Sequence, residues 1–93
     1  MIKTFGCKET EKIFNREFSR KLPGDIQRIV MRKLWMIDAA TDIEDLRIPP
    51  ANQLKQLKGE LKEFHSIRIN NQWRIIFIWQ ENSAFNIKAV DYH

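Results

Sequence analysis

The sequence has little cysteine and no long apolar run, and each shortage excludes a class of protein. Cys7 is the only cysteine, so the chain cannot close an internal disulfide, and a lone thiol argues against a structural zinc site. No run of about 18 apolar residues occurs, and the start, MIKTFGCKET, lacks the apolar stretch of a signal peptide. We therefore expect a cytoplasmic protein without a membrane span, a metal or a cofactor.

The length and the composition predict one folded domain. A chain of 93 residues suffices for one domain and is too short for two, so residues 1–93 should form a single unit. Six Phe, three Trp and one Tyr add to many Ile and Leu. That is enough apolar material for a packed core, and it argues against disorder.

Charge is unevenly distributed along the chain. The formal net charge is +4, from sixteen basic and twelve acidic residues, and this excess favours polyanionic partners. Residues 38–45, DAATDIED, carry four acids and no base. A basic segment follows, in which only Glu60 and Glu63 are acidic, and its cations are Arg47, Lys55, Lys58, Lys62, Arg68 and Arg74.

Hydrophobic periodicity predicts a strand and two helices in the first half. Residues 1–5 alternate like a short strand, and residues 8–20 have the pattern of an amphipathic helix with Phe18 on its apolar side. LPGD at 22–25 breaks that pattern, and apolar residues at three- and four-residue spacing predict a second helix over 24–39. The short break predicts an antiparallel helical hairpin.

The second half changes to a period of two. Residues 40–56 contain two prolines and are predicted to be a long connection, which in a compact domain is often functional. Residues 61–69, 73–79 and 85–93 then read as three strands joined by turns at NNQ and ENSA. In the last strand, strict alternation would put Phe85, Ile87, Ala89 and Asp91 on one face. The central strand, WRIIFIW, is apolar on both faces.

This element order, β-α-α-β-β-β, predicts an α+β fold. Strands linked by hairpins form an antiparallel sheet, and the two helices can cover one of its faces. The other face, or its rim, would carry the ionisable side chains of Lys58, Lys62, Arg68, Arg74, Asp91, Tyr92 and His93.

These residue types suit cleavage of RNA by its own 2′-hydroxyl. That reaction needs a base, an acid and positive charge at the phosphate, without a metal or a protein nucleophile. His93 can serve as acid or base near neutral pH, whereas Arg74 and Lys58 can stabilise the phosphate. Tyr92 can stack on a base or join the proton transfers, and Asp91 can orient its neighbours. Each of these residues also has an ordinary structural explanation, so only their combination favours an enzyme.

Four short stretches of the sequence are distinctive: DAAT, LKG, the hairpin HSIRIN-x-QWRI-x-F and the terminal DYH. Together they resemble the HigB branch of the RelE-type toxins, and most of all its GraT-like members, and the similarity covers essentially all 93 residues. The resemblance implies a RelE-like fold and a ribosome-dependent endoribonuclease that cuts mRNA in the decoding site. It also implies three partners: the 70S ribosome, mRNA and a cognate helix-turn-helix antitoxin of the HigA type, encoded beside the toxin.

The family's catalytic residues can be carried over one by one. Its lysine falls on Lys58 in LKG, its arginine on Arg74 in QWR, and its terminal acid, aromatic and histidine on Asp91, Tyr92 and His93. Some members have a histidine three residues before the lysine, where this chain has Lys55. We therefore assign phosphate binding, not proton transfer, to Lys55. Lys62 and Arg68 are assigned to the same RNA- and phosphate-binding set.

Two other functions remain open from the sequence. The same fold occurs in ParE-like toxins, which act on DNA gyrase without ribonuclease activity. A non-toxic module that binds RNA or the ribosome is the other alternative.

Overall fold

The computed structural model describes residues 1–91, so Tyr92 and His93 lie outside the described residues. The helices are α1 (Lys8–Phe14) and α2 (Gly24–Ala39). The strands are β1 (Lys55–Gln56), β2 (Phe64–Arg68), β3 (Trp73–Gln80) and β4 (Ser83–Asp91). They form one antiparallel sheet in the order β1-β2-β3-β4. This confirms the predicted α+β fold, including the bounds of the second helix.

The core lies between the helices and one face of the sheet. Helix α2 buries one stripe completely or almost so, formed by Ile26, Val30, Leu34 and Ile37. This stripe belongs to one cluster with sheet side chains, among them Ile67, Ile75, Phe77 and Ile87. Full burial of such a side chain contributes about 1.5–3 kcal/mol, so this interface holds the two layers together. Within residues 1–91, neither helix has the length and apolar character needed to cross a bilayer.

Helix α1 is shorter than its periodicity predicts, because it ends at Phe14 instead of near residue 20. Arg16 adopts a left-handed backbone conformation, with φ of 67°, which stops the helix. Residues 15–23 form a loop, and Phe18 is 69% exposed. The prediction that Phe18 faces the core is therefore wrong.

The predicted first strand forms only two parallel bridges with β4. Ile2 pairs with Ala84 and Phe5 pairs with Ile87. The N–H of Lys3 donates to the Ala84 carbonyl at 2.8 Å, which ties the chain start to the free edge of the sheet. The sheet thus gains a partial fifth member that runs parallel to β4.

The connection over residues 40–56 is more ordered than predicted. It contains two 3₁₀ helices, Ile43–Arg47 and Pro50–Asn52, followed by the short strand β1. Asp42 and Asp45 form a capping box at the first of these helices. Backbone N–H groups, that of Thr41 first, hold the pKa of Asp45 below its usual range. Part of the acidic run DAATDIED therefore serves local structure.

A bulge in β4 overturns the simple alternation predicted for the last strand. The register pairs Ile76 with Lys88 but Ile78 with Phe85, so one extra residue is accommodated between them. Asn86, within this extra length, has φ of 54°. Since paired residues share a face, Phe85 lies on the side away from the helices, whereas Ile87 remains in the core.

Candidate functional site

The sheet face away from the helices carries most of the cationic residues of the sheet. Cross-strand pairing places their side chains in rows, because directly opposite residues point to the same face. One row consists of Lys55, Ser66, Ile76 and Lys88. The next row consists of Arg68, Arg74 and Val90. We call this surface the basic face.

Arg74 is buried within the basic face, with only 6% of its surface exposed. Its Nε donates to the Ser66 hydroxyl at 2.9 Å, and its Nη2 donates to the Gln53 carbonyl at 2.7 Å. A buried guanidinium needs such acceptors, because desolvation of an unpaired charge is costly. These contacts fix the guanidinium in place before any ligand arrives.

Arg68 lies directly opposite Arg74 in the β2–β3 register, and its Nη2 donates to the Asn71 side chain. Like charges at directly opposite positions destabilise a sheet. The positive field extends to Lys33 on α2. The pKa of Lys33 is lowered mainly by burial of the ammonium group, and the charges of Arg32 and Arg68 lower it further. An anion bound on the basic face would relieve this repulsion.

The loop that supplies the Gln53 carbonyl is anchored by Asn52. This side chain is fully buried and donates to the Leu46 carbonyl at 3.1 Å and to the Met36 sulfur at 3.2 Å. Its Oδ1 accepts from the Lys33 ammonium group. The backbone on one side of Arg74 is therefore tied to helix α2.

Lys55 and Lys58 line one shallow depression of about 390 Å³ at the outer edge of the sheet, together with Gln56, Leu57 and Leu61. Lys58 is exposed and precedes the 3₁₀ helix Gly59–Leu61. Gly59 has φ of 70°, a conformation that other residues rarely adopt, so glycine in LKG meets a backbone requirement. Lys62 is also exposed, and its carbonyl accepts from the Gln56 side chain at 2.8 Å.

Asp91 lies at the end of β4, where it pairs with Trp73. Its Oδ2 accepts from the Gln72 side chain at 3.0 Å. Trp73 packs against the core, so the register places Asp91 toward the helix side, one position from the row of Arg74. The two remaining predicted residues, Tyr92 and His93, lie outside the described residues.

The structure thus brings together part of the predicted set. Arg68, Arg74 and Lys55 share the basic face, and Lys55 shares a depression with Lys58. Sequence reasoning missed Ser66 and Gln53 as the partners of Arg74. The period-two pattern could have pointed to Ser66, which is two residues from Arg68 on the same face, but a backbone carbonyl such as that of Gln53 leaves no sequence signal.

Comparison with known proteins gives consistent results. Residues 3–93 match the HigB-like toxin family, described as the RelE-like toxin of type II toxin–antitoxin system HigB. Toxin HigB-1 of Vibrio cholerae is 46% identical over 67 residues, which cover 72% of this chain and 70% of that protein. Endoribonuclease HigB of Proteus vulgaris is 34% identical over 94 residues, and this match covers 100% of each of the two chains.

Solved structures show the same fold at low sequence identity. The YoeB–YefM complex from Staphylococcus aureus contains a chain with a TM-score of 0.61 and 19% identity, and the match covers 100% of this chain and 98% of that one. The protein HP0894 from Helicobacter pylori has a TM-score of 0.53 and 16% identity, with 96% and 94% covered.

Proposed function

Because the chain belongs to the HigB family of RelE-like toxins from type II toxin–antitoxin systems, we propose that it is a ribosome-dependent endoribonuclease that cleaves mRNA and thereby inhibits translation. Family membership makes an antitoxin its partner. The observation that best supports RNA cleavage is the buried guanidinium of Arg74, which Ser66 and Gln53 hold on the basic face.

The proposed reaction uses the 2′-hydroxyl of the substrate as the nucleophile. The 2′-oxygen bonds to the adjacent phosphorus, the bond from phosphorus to the 5′-oxygen breaks, and a 2′,3′-cyclic phosphate and a 5′-hydroxyl result. One group accepts the proton of the 2′-hydroxyl, and another donates a proton to the leaving 5′-oxygen. The chemistry requires no metal and no protein nucleophile.

The positive charge needed by the crowded phosphate comes from Arg74 and Lys58. A guanidinium can donate two parallel hydrogen bonds to a phosphate, and a preorganised cation lowers the energy of the transition state without having to reorient. His93 and Tyr92 are proposed to carry the proton transfers or to stack on a base, with Asp91 in support. Lys55, Lys62 and Arg68 are proposed to bind the flanking phosphates.

The ribosome is proposed to supply substrate alignment. The basic face and its shallow depression are open, so they offer few walls that would hold a flexible RNA strand. Fixing the 2′-oxygen in line with the phosphate can provide about 7–11 kcal/mol of the barrier reduction. We accordingly place the activity in the cytoplasm, on translating ribosomes, under control of a HigA-like helix-turn-helix antitoxin.

Mapping of new 5′ ends on translated mRNA tests this proposal. After induction of the wild-type gene, we expect cuts inside codons that disappear when translation initiation is blocked. Arg74→Ala and deletion of His93 should each abolish the cuts. Arg47→Ala is the control, because Arg47 is an exposed arginine that pairs with Glu44 and belongs to neither row of the basic face.

Two outcomes would contradict the proposal. The first is persistence of the cuts in Arg74→Ala. The second is growth arrest with trapped gyrase–DNA breaks and intact mRNA, which would instead support a ParE-like mode of action. Efficient cleavage of naked RNA by nanomolar purified protein would argue against the ribosome dependence alone.

A further inference from the structure

A second surface lies on the helix side of the molecule, between α1 and α2. It is a cavity of about 420 Å³ that we call the helical groove. Its apolar lining comes from Ile13, Phe18 and Met31, and its charged lining from Arg16, Arg28 and Glu17. None of these residues belongs to the basic face, which is on the opposite side of the sheet.

The exposed residue Phe18 lies in a loop that hydrogen bonds of the next residue fix in place. The next residue, Ser19, is fully buried; its N–H donates to the Gln27 side chain at 3.0 Å, and its carbonyl accepts from the same side chain at 2.7 Å. The Ser19 hydroxyl also donates to Glu9 at 2.7 Å, a bond that lowers the pKa of that carboxyl. The loop next to Phe18 is therefore anchored on both helices.

A rigidly presented aromatic side chain is a typical anchor for a protein partner. An isolated exposed apolar residue needs no explanation, but Phe18 stands at the rim of a groove that Ile13 and Met31 extend inward. Aromatic and methionine side chains are enriched at protein interfaces. The ring thus offers apolar area at little conformational cost on binding.

The charges around the groove define the partner further. Arg16 and Arg28 line the groove, and Glu17 is the acidic residue of its lining. Two more exposed cations, Arg20 and Lys21, follow Phe18 in the same loop. The Arg16 guanidinium lies over the Trp35 ring, 4.7 Å from its centroid, so this cation is also held in place. A complementary ligand would combine an apolar side chain with flanking carboxylates.

We propose that the helical groove is a docking site for the cognate antitoxin, through a segment that inserts an apolar side chain beside Phe18 and carries acidic residues to Arg16 and Arg28. The inference relies on family membership for the existence of an antitoxin, and it does not depend on the proposed RNA chemistry. Because the groove and the basic face lie on opposite sides of the sheet, docking in the groove would leave the basic face for other ligands.

Binding of the full-length protein encoded by the adjoining reading frame tests this inference. Affinity is measured by biolayer interferometry with immobilised antitoxin and purified toxin variants, each checked for an unchanged thermal midpoint. We expect Phe18→Ala to weaken binding at least about tenfold, the effect of an anchor residue. We expect Arg28→Glu to weaken it by a similar factor and to reduce its dependence on salt.

Two control variants match these substitutions elsewhere on the surface. Ile48 is 74% exposed and outside the groove, so Ile48→Ala removes an apolar side chain of comparable exposure. Lys3→Glu makes the same change of charge as Arg28→Glu at an exposed site on the chain start. Both controls should bind the antitoxin within about twofold of wild type, as substitutions outside an interface do.

Two results would overturn the inference. The first is antitoxin affinity within twofold of wild type for both groove variants. The second is intact antitoxin binding combined with loss of cosedimentation with 70S ribosomes, which would assign the groove to the ribosome. Neither readout requires RNA cleavage, so a failure of the proposed enzymatic function would leave this test valid.

Discussion

At the scale of single residues, the main feature is an arginine inside a sheet. Arg74 gives up nearly all of its hydration and lies opposite Arg68, and both facts cost stability. Ser66 and Gln53 compensate for part of the loss by accepting its hydrogen bonds. An apolar residue here would avoid both costs, and the proposed role of Arg74 in phosphate binding gives a reason for the arginine.

Ser66→Ala tests whether the position of this guanidinium matters. The variant removes the acceptor of Nε and leaves a buried donor unsatisfied, at a cost of about 1–3 kcal/mol in stability. We expect the rate of mRNA cleavage on the ribosome to fall about tenfold, or about 1.4 kcal/mol in the activation barrier, while affinity for the ribosome changes little. The measurement is single-turnover cleavage in a programmed ribosome complex.

Ser83→Ala is the matched control for this substitution. Ser83 is also a buried serine of the sheet, but it pairs with Gln80 at the β3–β4 turn, far along both strands from Arg74. Its cleavage rate should remain that of wild type. Equal rates for the two variants would show that the Ser66 contact does not position the guanidinium.

The sequence predicted two cations of the basic face, Arg68 and Arg74, but not the hydrogen-bond partners of Arg74. Period-two reasoning and the NNQ turn at 70–72 placed Arg68 and Arg74 on the uncovered side of one hairpin, and the structure adds that they lie directly opposite each other. The second acceptor of Arg74 is a main-chain carbonyl, at Gln53 with φ of 46°. Backbone groups and left-handed conformations of polar residues leave no pattern in the side chains, so this contact could not be predicted.

At the scale of elements, the start of the chain contacts β4 closely without forming a regular strand beside it. Gly6 follows the two bridges to β4, and its N–H donates to the Ile87 carbonyl at 2.8 Å. A Cβ added at Gly6 would lie 3.0 Å from the Asn86 carbonyl oxygen, closer than an unstrained contact allows. Glycine at residue 6 therefore allows this close approach, whereas a larger residue would require the backbone of Asn86 to shift.

Gly6→Ala should therefore separate the chain start from β4. We expect the free energy of unfolding to fall by about 1–3 kcal/mol, the usual cost of overpacking. Gly24→Ala is the control: its Cβ would come no closer than 3.9 Å to Phe18, and alanine favours the α2 helix. Urea denaturation of both variants measures the difference, and an equally stable Gly6→Ala would contradict the tight contact.

The elements whose boundaries were wrongly predicted share a physical cause. The end of α1 and the bulge of β4 both depend on left-handed residues, Arg16 and Asn86, in stretches whose hydrophobic period continues past them. A distant hydrogen bond stabilises the bulge, because the Asn86 N–H donates to the Thr4 hydroxyl at 2.8 Å, and the bonds between Ser19 and Gln27 hold the loop that follows α1. Local periodicity cannot reveal such distant partners, whereas it predicted α2 and the β2–β3 hairpin well because their own patterns suffice.

At the scale of the whole molecule, the two faces of the sheet carry different surfaces. The helix side holds the core and the helical groove, and the opposite side holds the basic face. Because cationic residues lie on both sides, a modest net charge of +4 is compatible with both proposed acidic ligands, an RNA and an antitoxin segment. With separate surfaces, a mutation in this chain could weaken the binding of one partner without affecting the binding of the other.

His65, which packs against the core residue Phe77, should make global stability depend on pH. The His65 ring stacks on Phe77, with centroids 6.2 Å apart, on the helix side of β2, and its Nδ1 is buried without a hydrogen-bond partner within residues 1–91. Burial, and then the charge of Arg47, lower the pKa of His65 below its usual range. In the unfolded chain, His65 therefore binds a proton as the pH falls through about 6.5, whereas in the folded chain it binds the proton only at a lower pH.

Stability should accordingly decrease as the pH falls through about 6.5 toward the lowered folded-state pKa, and it should be full above that range. Guanidinium denaturation at pH 5, 6, 7 and 8 measures this slope. The carboxyls of Glu9 and Asp45 also have lowered pKa values, but their loss of stability begins only near about pH 4 and below. His65→Leu keeps an apolar side chain against Phe77 and removes the titration, so its profile should be flatter between pH 5 and 7. The same slope in both proteins would show that the half-buried ring of His65 is not the group responsible.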